Sequence, residues 1–180
     1  MGQWFSKLFS RSVDCQLLVL GLDKAGKTSV LQNIRTSGAK TEDTVATVNM
    51  EYSTFSVGRI NFTSFDVGGQ ERLRHTWRHY YLGTESLLFV IDAHDRGRFS
   101  IARSELENLV SDRYLANTPI VILANKQDLQ HSTPPDQLGR ILDLHALLKN
   151  HQAPWTIIGT SAKTGMGLDH ALDWIYECIN

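Results

Sequence analysis

No apolar run in this chain approaches the roughly 18 residues a membrane-spanning helix needs, which excludes a helical membrane span. Excess charge is also missing: 18 Lys and Arg stand against 19 Asp and Glu, for a formal net charge of -1. Without a basic stripe, bulk electrostatic binding to nucleic acid is not expected. Blocks of like charge, internal repeats and low-complexity segments are absent. Cysteine is limited to Cys15 and Cys178, at no framework spacing, so two reduced thiols in a cytoplasmic protein are expected. His75 and His79 are placed to share a helical face, but no third metal ligand stands at usable spacing, so zinc is not expected. What remains is a chain of 180 residues, 42% hydrophobic, which suits one domain with a proper core.

From Asp14 onward the pattern alternates strands with helices. CQLLVLGL is a buried-strand run, followed by a glycine-containing turn and a helix through about Arg35. MEYSTFSV and INFTSFDV alternate apolar and polar residues on either side of Gly58-Arg59, which predicts a hairpin. SLLFVIDA, PIVILANK and PWTIIGTS are further runs of strand length. Helices are predicted over IARSELENLV, over PPDQLGRILDLHALLK with proline at its start, and over LDHALDWIYECI. Apolar strands separated by helices imply a mostly parallel α/β sheet covered on both faces. Ligands of such sheets bind beyond the carboxyl ends of the strands, so the turns there carry the function.

The first of these turns, GLDKAGKT, spans Gly21 to Thr28 and matches G-x-x-x-x-G-K-[ST] between a strand and a helix. Consecutive backbone N–H groups of Asp23, Lys24, Ala25 and Gly26, with the helix start through Ser29, can surround a phosphate chain. Lys27 can reach the β- and γ-phosphates, and the Thr28 hydroxyl can bind Mg2+. The next strand end supplies DVGGQER: Asp66 to hold Mg2+ through a water, Gly68-Gly69 to meet a γ-phosphate, and Gln70 to orient an attacking water.

NKQD, from Asn125 to Asp128, selects the base. Guanine presents two adjacent donors, N1–H and the N2 amino group, and the Asp128 carboxylate can accept both. Adenine would leave that carboxylate unpaired, at a cost on the order of 10³-fold in affinity. Asn125 braces the loop, and the Lys126 stem covers the base face. SAK, at Ser161 to Lys163, puts the N–H of Ala162 within expected reach of guanine O6.

With these motifs in order, the chain resembles a small GTPase of the Ras superfamily, and within it the Arf and Arf-like family. The similarity runs over essentially the whole chain and includes GLDKAGKT, DVGGQE, Trp77 to Tyr81, IDAHDR and LANKQD. It implies a P-loop domain with a six-stranded, mostly parallel sheet, a GDP/GTP cycle, and Mg2+. Exchange factors, GTPase-activating partners that supply an arginine, and effectors at the switch and interswitch surface are implied as well. Gly69 is the implied γ-phosphate sensor, Gln70 the catalytic, water-positioning residue, and Thr47 a ligand of Mg2+ and γ-phosphate. The switch-one segment TEDTVATVNMEY departs from the family pattern: Ala46 stands for its proline and Asn49 for its glycine. Met50, Phe65 and Tyr80 occupy the family's apolar effector triad with altered shapes.

Arg72 and Arg74 follow Gln70 and read as solvent-facing, so no arginine is placed on the γ-phosphate in cis and hydrolysis by a monomer is expected to be slow. A GTP-binding scaffold with little hydrolysis is the alternative that the altered switch-one segment keeps open. A P-loop kinase or metabolic ATPase is disfavoured by NKQD and by the lack of a lid insertion.

The opening MGQWFSKLFSR is expected to form a separate amphipathic helix, residues 1–12, ahead of a GTPase domain over 13–180. It has no cationic leader, so it does not read as a secretory signal. Gly2 and Ser6 complete M-G-x-x-x-[ST], which predicts myristoylation of Gly2. Trp4, Phe5, Leu8 and Phe9 fall on one helical side and Lys7 and Arg11 on the other, so lipid contact through Gly2 and residues 3–11 is expected. Cys178 lies third from the end, one place off a prenylation site. The family hides such a helix in the GDP form and releases it when the interswitch hairpin, here residues 51–66, moves. A cytoplasmic protein bound reversibly to Golgi, endosomal or ciliary-base membranes is the implied setting, with membrane trafficking as its role.

Overall fold

Continuous apolar strands need cover on both faces, and helices supply it in the computed structural model of the chain. The structure describes residues 13–36, 40–46, 50–58 and 60–180, with backbone alone for 40–46 and 50. The elements are β1 (Val13–Gly21), α1 (Lys27–Thr36), β2 (Lys40–Ala46), β3 (Met50–Val57), β4 (Ile60–Val67), α2 (Glu71–Arg74) and β5 (Ser86–Asp92). There follow α3 (Phe99–Val110), β6 (Ile120–Asn125), α4 (Pro135–Ile141), α5 (Leu144–Leu147), β7 (Trp155–Gly159) and α6 (Leu168–Ile179), with short 3₁₀ turns at Trp77–Tyr80 and Arg96–Arg98. Gly2 and the expected helix of residues 1–12 lie outside the described residues, as do Thr47 and Asn49.

The six expected strands are joined by a seventh, β2, at one edge, in the order β2-β3-β4-β1-β5-β6-β7. Pairing is parallel from β4 through β1, β5 and β6 to β7, and antiparallel at β2-β3 and β3-β4. β2 runs through the segment read as a switch-one loop, with Ala46 opposite Glu51 and an irregularity between Thr41 and Asp43. Ala46 keeps the N–H that the family's proline lacks, and a residue with fixed φ and no donor is poorly suited to a paired position. The predicted β3-β4 hairpin is present, Val57 opposite Ile60, with Gly58 at φ 59° in its turn.

Strand alternation sorts the core into two layers. Leu18, Leu20, Leu87, Phe89, Ile120 and Ile122 face Ala102, Leu106 and Leu109 of α3. Leu17, Val19, Leu88, Val90, Val121 and Leu123 face Val30, Leu31 and Ile34 of α1 and Leu168, Leu172 and Ile175 of α6. Burying each such side chain contributes about 1.5–3 kcal/mol, which fixes strand register firmly. The single helix expected over Pro134 to Lys149 is instead two short ones, broken where Asp143 adopts a left-handed φ of 49°. Leu138 and Leu144 still reach the core on either side of the break. No helix among the described residues is long and apolar enough to cross a membrane.

β1 lies between β4 and β5, where the strand order reverses. The turns after β1, β4 and β6 therefore open at one sheet edge, beside a switch point where such folds bind ligands.

Candidate nucleotide-binding site

Gly21 ends β1 at φ 142° with Val90 O against its α-carbon; a Cβ there would lie 2.2 Å from that oxygen. Such a glycine lets the chain turn tightly over β5 and enter the phosphate loop. Lys24 holds φ 63° without being glycine, a conformation costing on the order of 1–3 kcal/mol that functional loops retain. At Gly26, φ 100°, a Cβ would come within 2.5 Å of the Asn125 amide nitrogen, so only glycine lets the loop pass under that side chain.

Lys27 starts α1 but its ammonium turns back into the loop, donating to Gly21 O and Leu22 O, both at 3.1 Å. Burial pushes its pKa down, opposed by the charges of Asp66 and Asp23. Thr28 Oγ1 donates to Asp66 Oδ2 at 2.6 Å, which joins α1 to the end of β4. Burial raises the Asp66 pKa, and the Thr28 hydrogen bond opposes it. A hydroxyl and a carboxylate converging at one point are hard oxygen donors of the kind Mg2+ takes, so these residues fit that ion. Ser29 lies one residue on, along the cleft described below.

The base-reading corner is tied together by Asn125, which is 1% exposed. Its amide donates to Ala25 O at 2.9 Å, and its Oδ1 accepts from Ala162 N–H at 3.0 Å and Thr160 Oγ1 at 3.3 Å. One side chain thus braces the turns after β1, β6 and β7. The Ala162 N–H is engaged by Asn125, so its expected contact with guanine O6 requires sharing or yielding that bond. Ser161 Oγ donates to Asp128 Oδ1 at 2.6 Å, and this hydrogen bond holds the Asp128 carboxyl below its usual range. The carboxylate stays charged and acceptor-only at the cleft mouth, as a reader of two guanine donors must be. Gly26, Ser29, Asn125, Asp128, Ala162 and Lys163 line one cleft of about 520 Å³, within the size range of small-molecule sites.

Two partners escaped the sequence reading. Lys126, at φ 68°, places its ammonium 2.6 Å from Asp92 Oδ2, so the β5 end fixes the stem expected to cover the base. Asp92 lies in the IDAHDR stretch, where its place at a strand end was the available signal. The second is Arg98, whose Nη2 meets Asp23 Oδ1 at 2.5 Å, with Arg74 Nη2 3.9 Å from the same oxygen.

Gly69 lies flat on the phosphate loop. Its carbonyl accepts from Asp23 N–H at 3.0 Å, and a Cβ on it would be 2.3–2.5 Å from backbone atoms of Gly21, Leu22 and Asp23. Gln70 is exposed, its Oε1 taken by Arg72 Nε at 3.0 Å. The reading of Arg74 as solvent-facing is corrected: its side chain is 12% exposed and bonds Gly69 O and Glu105. A charged partner in α3, 31 positions away, draws it inward. Phe65 and Tyr80, two of the three residues expected to form the apolar effector triad, pack against the core with ring centroids 6.0 Å apart and planes tilted by 38°; the Met50 side chain is outside the described residues.

Comparison with known proteins places this geometry. The family model of the ADP-ribosylation factor family matches residues 1–179. Among solved structures, the chain is similar to the Arl6 BBS3 small GTPase from Trypanosoma brucei, determined with the bound nucleotide analogue GppNp. The two share 28% identity over 92% of this chain and 96% of the other, with a TM-score of 0.82.

Proposed function

Because the chain belongs to the ADP-ribosylation factor family of small GTPases, whose members are regulatory GTP-binding switches, we propose that it hydrolyses GTP slowly and recruits effectors to membranes during intracellular trafficking. The observation carrying the switch is the backbone hydrogen bond from Asp23 N–H to Gly69 O. It joins the phosphate loop directly to the segment before α2, so a third phosphate seated at that loop displaces Gly69, and α2 moves with it.

The chemistry follows from the same residues. Asp128 and Ser161 select guanine, Asn125 holds their turns together, and Lys27 leaves its two carbonyls to meet the β- and γ-phosphates. Mg2+, when bound, would supply positive charge to offset the negative charge of the phosphates. Thr28 and, through a water, Asp66 would hold it, with Thr47 from switch one. Gln70 must leave Arg72 before it can orient a water, so the isolated protein lacks an assembled catalytic group. An arginine from a GTPase-activating partner completes the site.

Single-turnover hydrolysis without a partner is expected near 10⁻⁴ s⁻¹, rising roughly 10³- to 10⁵-fold with a family GTPase-activating protein. Gln70→Leu removes that rise. Fast unaided turnover contradicts the proposal, while no turnover with any partner favours the scaffold reading, which Ala46 and Asn49 support. The same myristoylated preparation tests the membrane step: it should sediment with liposomes when loaded with GTP analogue. With GDP, or as Gly2→Ala, it should remain in the supernatant.

A further inference from the structure

A carboxylate inside a phosphate-binding loop is electrostatically awkward, and Asp23 is such a group. Its carboxyl is held below the usual range, chiefly by the hydrogen bond from Arg98, so it is ionised at neutral pH. Two arginines answer it in different ways. Among the described residues Arg98 grips Asp23 alone, with Nη1 on Asp23 O at 2.9 Å and Nη2 on Asp23 Oδ1. Its bonds to Asp23 therefore do not depend on where Gly69 lies.

Arg74 spans three segments. Nε donates to Gly69 O at 3.2 Å, Nη1 meets Glu105 Oε1 at 3.0 Å, and Nη2 lies 3.9 Å from Asp23 Oδ1. The Glu105 carboxylate is 20% exposed and the Arg74 side chain 12%, so the pair is only partly screened by water. Together these contacts hold Gly69 against the loop and α2 close to α3.

We propose that Arg74 is a specificity-determining residue for the third phosphate: with Glu105 and Asp23 it latches the segment around Gly69 onto the phosphate loop and weights the protein toward GDP. This rests on the reading that Gly69 receives the γ-phosphate. When Gly69 lifts to do so, Arg74 loses the Gly69 carbonyl and is drawn from both carboxylates. The energy of breaking a partly buried, charge-assisted set falls on the triphosphate form alone. Asp23 thereby gains a reason to sit in an anion-binding loop, as the fixed anchor of the latch.

The test compares affinities for GDP and GppNHp, both with Mg2+, in wild type, Arg74→Ala and Glu105→Gln. Arg74→Ala should shift the ratio of the two affinities roughly tenfold toward GppNHp, the size expected for lost charge-assisted bonds. Glu105→Gln, which keeps the side-chain shape, should shift it the same way by about threefold. Arg74→Lys should recover only part of the wild-type ratio, because one ammonium cannot reproduce the fork. Ratios within twofold of wild type in both variants, or equal weakening of both nucleotides, would overturn the latch. If wild type itself bound GDP and GppNHp without any change in amide exchange around Gly69, the underlying switch reading would fall as well.

Discussion

Asp128→Asn will cost about 10³-fold in GTP affinity and transfer preference to xanthine nucleotides. Asp128 offers only acceptors, and its charge is secured by the hydroxyl of Ser161 at 2.6 Å. Guanine's N1–H and amino group need two acceptors side by side. An asparagine supplies one acceptor and one donor, so the guanine amino group meets an N–H and both stay unpaired. Xanthine carries an oxygen where guanine carries the amino group, and the substituted side chain matches it. The fold should be unaffected, because Asp128 is exposed and Asn125, not Asp128, ties the three turns together. Competition of labelled GTP with GTP, XTP and ATP measures the change. An unchanged order of preference would mean that Asp128 does not read the base.

Lys27→Ala carries the other large effect, which appears in the nucleotide-bound protein and hardly at all in the free one. Lys27 is 8% exposed and its ammonium faces two loop carbonyls, with Asp66 contributing an attractive charge. Without nucleotide it is a buried cation whose pKa is pushed down, so removing it costs the free protein little stability. With nucleotide it is expected to be the main cation at the β- and γ-phosphates. Loss of about 10³-fold in GDP affinity removes about 4 kcal/mol of ligand-linked stability at saturating GDP. Thermal melts should show similar midpoints for the two nucleotide-free proteins. Added GDP should then raise the wild-type midpoint and leave Lys27→Ala near its unliganded value. An equal rise in both would remove Lys27 from the phosphate site.

The readable parts of the molecule are those where local chemistry decides. β1, β5 and β6 are buried on both faces, so their apolar runs announce strands without help from distant residues. The phosphate loop and NKQD are equally legible, because a glycine, a lysine and a carboxylate at fixed spacing have few other uses. β2 was not, since KTEDTVA is polar and becomes a strand only by pairing with β3 at the sheet edge. The break at Asp143 was hidden for a related reason: apolar spacing continues across it while one residue turns left-handed. Arg74 shows the limit most clearly. Its neighbours in sequence are exposed or half-buried, and only the packing of α2 beside α3 brings Glu105 to it. Asp92 likewise meets Lys126 across 34 positions through parallel pairing of β5 with β6.

The central claim is that the nucleotide's third phosphate moves Gly69 off the phosphate loop and carries the following segment with it. Amide hydrogen exchange over residues 50–74, compared between GDP-loaded and GppNHp-loaded protein, tests it most directly. The account predicts two distinct protection patterns, with residues from Gly68 to Arg74 changing most. Superimposable exchange in the two forms would contradict it.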